Sequence, residues 1–234
     1  MSISKFCLIP AKAASKRLPR KNILPLRGRP LIQYVIETAL RSGLFREEDI
    51  WVSTESGEVA SVAAGAGARV HIRPEYLAHD PYKISDVVLE FLNSHPEYQK
   101  YEVIFILQAN SPLTRPEDLR EAYALFQDRD PNTLFSVTEF EHPAFRAVLV
   151  EEGFLRPLMP EKIKYRTQEL PPTYYINGAV TIVKTEKFLE AGTYFIPPIA
   201  AYIMPRERGL DIDTPFDYRL ARLLIEGEDF EGTK

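Results

Sequence analysis

The chain has 234 residues, 45% of them hydrophobic and 26% charged, with a formal net charge of −4. These are the proportions of an ordinary globular protein with one sizeable core, and the acidic balance argues against general nucleic-acid binding. No stretch approaches the roughly 20 consecutive apolar residues of a membrane span, and the single cysteine, Cys7, excludes an intramolecular disulfide.

In chain order, Phe6 to Ala11 reads as a buried first strand. It is too short for a secretory leader and runs into cations, so a cytoplasmic location is expected. Leu31 to Leu44 places Leu31, Ile32, Val35, Ile36, Ala39 and Leu40 at helical spacing. A strand (Asp49 to Thr54), a short Ala-rich helix (Glu58 to Ala66), a strand (Arg69 to Ile72) and a helix (Ile84 to Leu92) follow. Glu102 to Leu107 is the most continuous apolar run and is expected to be the central strand. Pro116 opens a further helix with Glu117 and Asp118 in its first turn, and Leu134 to Val137 is a fifth strand.

Alternating strands and helices call for a three-layer α/β fold, with a mostly parallel twisted sheet and helices on both faces. Ligands in such folds bind at the carboxyl ends of the strands, so loops 11–22, 53–57, 73–83 and 108–115 should share one rim. The pattern changes over residues 140–175, which are rich in Pro, Glu and aromatics and hold two short strand-like pieces, Ala147 to Val150 and Phe154 to Leu158. This is expected to be an excursion from the sheet, either a lid or a dimer arm, embedded in a single domain spanning 1–234. Asn177 to Val183 and Ile199 to Met204 return as strands, and Thr214 to Ile225 closes the chain as an amphipathic helix.

The loop after the first strand, residues 12–21, carries five cations in ten residues: Lys12, Lys16, Arg17, Arg20 and Lys21. At the carboxyl end of a strand such a loop is placed to hold a polyphosphate, with lysines as point charges and arginines as forks. It is neither a dinucleotide fingerprint nor a P-loop, because no glycine lies between residues 8 and 27. A solvated charged loop is the competing reading. Near the end of the chain, Asp211-Ile212-Asp213 puts two carboxylates on one side of an extended segment. They can address one Mg²⁺, a hard cation suited to oxygen ligands and substrate phosphates. The alternative for Asp213-Thr214-Pro215 is an N-cap, and the two uses are compatible, with Asp211 the better ligand. The four histidines show no zinc spacing.

Several of these segments resemble the acylneuraminate cytidylyltransferases, the CMP-sialic acid synthetases, a family that includes CMP-legionaminic and CMP-pseudaminic acid synthetases. The segment Ile9 to Asn22 is similar to the first motif of that family, except that Lys12 stands where Arg is usual. Val52-Ser53-Thr54-Glu55, Arg73-Pro74-Glu75-Tyr76-Leu77-Ala78-His79-Asp80 and Leu107-Gln108-Ala109-Asn110-Ser111-Pro112-Leu113 resemble three further family segments. So do Arg166-Thr167-Gln168-Glu169-Leu170-Pro171, Asn177-Gly178-Ala179 and Asp211-Ile212-Asp213-Thr214.

The resemblance implies a Rossmann-like, GT-A-like nucleotidyltransferase that joins CMP from CTP to the anomeric hydroxyl of a nine-carbon sugar acid. Pyrophosphate is released, Mg²⁺ is the cofactor, and the chain forms a homodimer. It further implies Lys21 and Asp211 as catalytic residues, Ala11, Lys12, Ser15, Lys16, Asn22, Thr54 and Arg73 at the nucleotide, and Asp211 with Asp213 at the metal. Gln108, Ser111, Arg146, Arg166, Tyr175 and Asn177 would face the sugar acid; Tyr175 departs from an Arg in several members. The rivals are a cytidylyltransferase for an eight-carbon sugar acid, a GT-A glycosyltransferase, and a nucleotide-binding module with weak catalysis.

Overall fold

The computed structural model describes residues 3–231, with side chains described through 226. Its strands are β1 (Lys5–Pro10), β2 (Pro25–Leu26), β3 (Arg29–Pro30), β4 (Ile50–Thr54), β5 (Arg69–Ile72), β6 (Val103–Leu107), β7 (Thr133–Glu139), β8 (Val148–Glu151), β9 (Phe154–Pro157), β10 (Tyr174–Lys184) and β11 (Ile199–Ile203). Its helices are α1 (Leu31–Arg41), α2 (Gly57–Gly65), α3 (Ile84–Ser94), α4 (Pro116–Arg129), α5 (Thr185–Ala191) and α6 (Pro215–Glu231). Among the described residues no helix is long and apolar enough to cross a membrane.

Seven strands form one sheet in the order β11-β7-β10-β6-β1-β4-β5, with β6 in the middle as its unbroken apolar run implies. All neighbours pair in parallel except β10, which runs antiparallel to both β6 and β7. Because successive strand residues face opposite sides, Phe6 and Leu8 of β1 pack with Val88, Phe91 and Leu92 of α3 and Phe188 of α5. Cys7 and Ile9 pack the other way, onto Ile32 and Val35 of α1, Val59 of α2 and Leu119 of α4. Helices therefore cover both faces, and the central strands β1, β4 and β6 are buried on both sides.

Helix α1 ends three residues before the apolar pattern does. Ser42 closes the last turn through its N–H to Thr38, and Gly43 follows at φ +68°, the left-handed conformation that stops a helix. Helix α5 gave no periodic signal in the sequence. Strand β10 begins at Tyr174, earlier than the Asn-Gly turn residues suggest. Its register with β7 shifts between Ile176 and Thr181, so Asn177-Gly178 forms a bulge inside a strand.

A third, smaller apolar cluster positions the site. Ile212, at 0% exposure, packs with Leu26, Leu31 and Ala221 of α6, alongside Leu18 of the basic loop. Burial of this one side chain between two aspartates draws the carboxyl-terminal segment against the loop that follows β1. Helix α6 starts with a reciprocal cap: Asp217 accepts from the Thr214 N–H at 2.7 Å, and Thr214 Oγ1 accepts from the Asp217 N–H at 3.3 Å. Thr214 takes the capping role, and the Asp213 side chain is left for other contacts.

Candidate active site

The carboxyl ends of β1, β5 and β6 open on one cleft lined by Lys12, Ser15, Lys21, Asn22, Arg73 and Gln108, together with Ala109, Asn110 and residues of the segment 77–84. The loop after β4 lies behind this lining and is tied to it through Glu55 and Arg73. It lies where the crossovers diverge: the chain leaves β1 toward β4 and β5, then returns to β6 on the opposite side, the switch point where open α/β sheets bind ligands. Six of the predicted site residues meet here.

The loop after β1 is tied down along its length. Ala11 donates its N–H to Ser53 O at 2.9 Å, and the Asn22 side-chain amide donates to Lys12 O at 2.9 Å. Asn22 is thus a buried brace of the loop as well as a lining residue. Lys16 lies at the mouth of the cleft in an exposed ion pair with Asp80 at 3.2 Å, a contact of little energetic consequence.

The first and last motifs of the chain converge. Lys21 Nζ donates to Asp213 Oδ1 at 2.6 Å across 192 residues of sequence, and the Arg17 guanidinium bonds the same carboxylate. Burial raises the Asp213 carboxyl, but the hydrogen bonds and charges of Lys21 and Arg17 outweigh it and hold it below its ordinary value. Asp211 is shifted the opposite way. Burial and the neighbouring Asp213 charge push it up, with Asp217 adding and Lys21 opposing. The segment between them is clamped by Asn110, whose carbonyl accepts from the Ile212 N–H at 2.9 Å and whose amide donates to Ile212 O at 3.3 Å.

Asp211 and Asp213 are oxygen donors two residues apart, the ligand chemistry that a hard divalent cation takes. Nothing else joins them, since among the described residues no group of three or more His, Cys, Asp or Glu is built to hold a metal. Any remaining ligands would come from phosphate oxygens and water.

Of the other predicted residues, Thr54 and Asn177 have structural partners. Thr54 is fully buried and its hydroxyl accepts from the Ser56 N–H at 3.1 Å, serving the turn into α2. Ser111 is buried beside the cleft with no partner for its hydroxyl. Asn177 is occupied within the sheet. It accepts from Ser136 Oγ at 2.5 Å and from the Ala179 N–H at 3.0 Å, and donates to Thr138 Oγ1 at 2.9 Å. A Cβ on Gly209 would stand 2.3 Å from Thr138 Oγ1 and 2.5 Å from Asn177 Nδ2, so Asn177 abuts the backbone that leads to Asp211. A Cβ on Gly178 would lie 2.1 Å from Gln108 Nε2, which is why the bulge carries glycine and Gln108 can lie over it.

Arg146, Arg166 and Tyr175 are not brought into the cleft lining. Arg146 is exposed and donates to Thr167 Oγ1 at 3.3 Å, the Arg166 backbone N–H is taken by Glu169 at 2.7 Å, and Tyr175 packs on Phe140 with ring centroids 4.9 Å apart. All three belong to the excursion or its base. The side chains that the sequence did not single out are Arg17 and Asn110, described above, and Glu55. The Glu55 carboxylate reaches both Ala13 and Arg73. Only the charge run and the turn chemistry hinted at the first two.

A family model described as cytidylyltransferase matches residues 6–191. The pseudaminic acid cytidylyltransferase of Campylobacter jejuni serotype O:2 is 35% identical, over 96% of this chain and 97% of its own. The N-acylneuraminate cytidylyltransferase of Streptococcus agalactiae serotype V is also 35% identical over 91% of this chain, which spans only about half, 51%, of that longer relative. Among solved structures, a CMP:2-keto-3-deoxy-manno-octonic acid synthetase complexed with CTP superposes with a TM-score of 0.70 over 96% of this chain and 99% of its own, at 20% identity, a likeness of fold. On the family match and the near full-length relative, the chain belongs to the cytidylyltransferase family.

Proposed function

We propose that the chain transfers CMP from CTP to the anomeric hydroxyl of a nine-carbon sugar acid, releasing pyrophosphate. The observation that carries this reading is the 2.6 Å contact of Lys21 with Asp213 at the rim of the cleft, with Asp211 beside it. Through Lys21, which lines the cleft, it joins a cationic loop suited to phosphate to a carboxylate pair suited to a metal. The names of the relatives, which act on pseudaminic acid and on an N-acylneuraminate, support the acceptor class.

In the reaction the acceptor hydroxyl gives up its proton to solvent as its oxygen forms a bond to the α-phosphorus of CTP, the bond from that phosphorus to the bridging oxygen breaks, and pyrophosphate leaves with the electron pair. Lys12, Ser15 and Lys21 line the cleft where the triphosphate would lie, and Lys21 is placed to neutralise charge on the transferred phosphoryl group. Arg73 and Gln108 line its other walls. Asp211 and Asp213 would hold Mg²⁺, which when bound supplies charge neutralisation at the phosphates. Asn22 and Asn110 hold the two segments in place through their backbone contacts. This chemistry belongs in the cytoplasm, where CTP is available.

The test is pyrophosphate release, measured with each of four nucleoside triphosphates against pseudaminic, legionaminic, N-acetylneuraminic and an eight-carbon 3-deoxy sugar acid. Release with CTP and a nine-carbon acid, at least tenfold faster than with the eight-carbon acid, is the expected result; an equal or greater rate with the eight-carbon acid defeats the reading. A glycosyltransferase would release no pyrophosphate at all.

The reading includes a homodimer. The hairpin β8–β9 stands off the sheet with Val150, Phe154 and Leu155 at 71%, 78% and 69% exposure. A two-stranded hairpin with that much apolar surface facing water is marginal alone, and a second copy is the partner we expect to cover it. Light scattering should give twice the mass of the chain, and Phe154→Asp with Leu155→Asp should shift it to the monomer mass.

A further inference from the structure

Glu55 directly follows β4, and its two carboxylate oxygens bind two different loops. Oε1 accepts from the Ala13 N–H at 2.6 Å, within the cationic loop after β1. Oε2 accepts from Arg73 Nη2 at 2.8 Å, in the loop after β5. Arg73 also donates through Nη1 to Ser53 O at 3.1 Å, and its side chain is only 2% exposed against 9% for Glu55. One buried carboxylate therefore spans three of the loops that make the rim.

From this geometry we infer that Glu55 is a positioning residue that fixes the distance between the phosphate-holding loop and Arg73, and so sets affinity for the nucleotide. The inference rests on the reading of this cleft as a nucleoside triphosphate site. A charge-assisted hydrogen bond to a backbone N–H is among the stronger ones available, and it holds the loop at one point between Lys12 and Ser15, both cleft-lining. A buried guanidinium needs a counter-charge, and burial already pulls Arg73 below its ordinary value while the Glu55 charge opposes that shift. Neither donor touches Glu55 in order to react. Its effect passes through the groups it places, which line the cleft themselves.

Two substitutions separate this role from a general one in stability. In Glu55→Gln the neutral amide offers one acceptor oxygen, so one of the two loops loses its tie. In Glu55→Asp the charge stays, but a side chain one carbon shorter cannot span both donors. For the full chain with Mg²⁺, equilibrium CTP binding is measured by calorimetry alongside KM for CTP, KM for the sugar acid and the unfolding midpoint. The expected result is CTP binding weakened roughly tenfold or more in both variants, with KM for CTP rising in parallel. KM for the sugar acid should stay within about twofold of wild type in the same variants.

Wild-type CTP affinity in either folded variant overturns the inference and leaves the site reading intact, as does an equal rise in both KM values. A wild-type chain that binds no CTP overturns both together. If Glu55→Gln fails to fold, the charge-retaining Glu55→Asp decides the matter through the same measurements.

Discussion

Replacing Lys21 with alanine is expected to lower kcat by about 10²–10³-fold, the effect of removing one preorganised charge from a site where charge develops. Lys21 is the cation that both lines the cleft and contacts the acidic pair, and its side chain is 16% exposed, so water replaces little of its field. Lys12 and Lys16 remain on the same loop and Arg17 remains on Asp213, so CTP still binds and KM for CTP moves less than kcat. The fold should survive, because Arg17 continues to pair the carboxylate that Lys21 leaves. Lys21→Arg should recover only part of the rate, since a planar fork does not reproduce a point charge. Steady-state pyrophosphate release with a circular dichroism control measures this, and a near-normal kcat in Lys21→Ala takes the loop out of the mechanism.

Much of this arrangement was legible in the sequence, for reasons that are local. The run Val103 to Leu107 has no polar residue because both its faces are covered, and that alone marks the middle strand. Strand-loop-helix alternation orders the rim loops, so the cationic loop, Arg73 and Gln108 were expected together and do line one cleft. What the sequence obscured depends on partners distant along the chain. Thr54 and Glu55 are adjacent polar residues at a strand end, and their spacing cannot show that the hydroxyl serves the next turn while the carboxylate joins two other loops.

Asn177-Gly178 carries turn chemistry, yet these residues bulge within an antiparallel strand, and the Asn side chain is used up by Ser136, Thr138 and Ala179. Strand direction is similarly invisible locally: nothing in Tyr174 to Lys184 says that this strand runs against its neighbours. Arg146, Arg166 and Tyr175 were linked to the sugar acid by resemblance, and their positions on the excursion follow from the path of the chain after β7.

The carboxylate pair should separate stability from activity. Asp213 is held below its ordinary pKa, so its ionised form contributes stability at pH values above the unfolded pKa of an aspartate, and that contribution is lost as pH falls through the lowered folded value. Asp211 is raised, so the sign reverses: what it contributes is complete only below the unfolded value and disappears as pH rises through the raised folded one. At neutral pH, without metal, an ionised Asp211 is therefore a net cost to the fold. Asp211→Asn, which mimics the protonated acid, is expected to raise the unfolding midpoint of the metal-free protein by a few degrees. Asp213→Asn removes the counter-charge of Lys21 and Arg17 and is expected to lower it. Both differences should shrink toward acid pH, where the wild-type carboxyl groups take up their own protons. Both variants should lose at least about 10²-fold in turnover, because each removes an oxygen donor from the pair proposed to hold Mg²⁺. Adding Mg²⁺ with CTP should raise the wild-type midpoint and leave that of Asp211→Asn much less changed, since binding stabilises only the state that binds. Thermal unfolding with and without a chelator, followed between acid and neutral pH, reads all of this. If Asp211→Asn proves as destabilising at neutral pH as Asp213→Asn, the pair is a structural brace, and the proposal that it carries the metal fails.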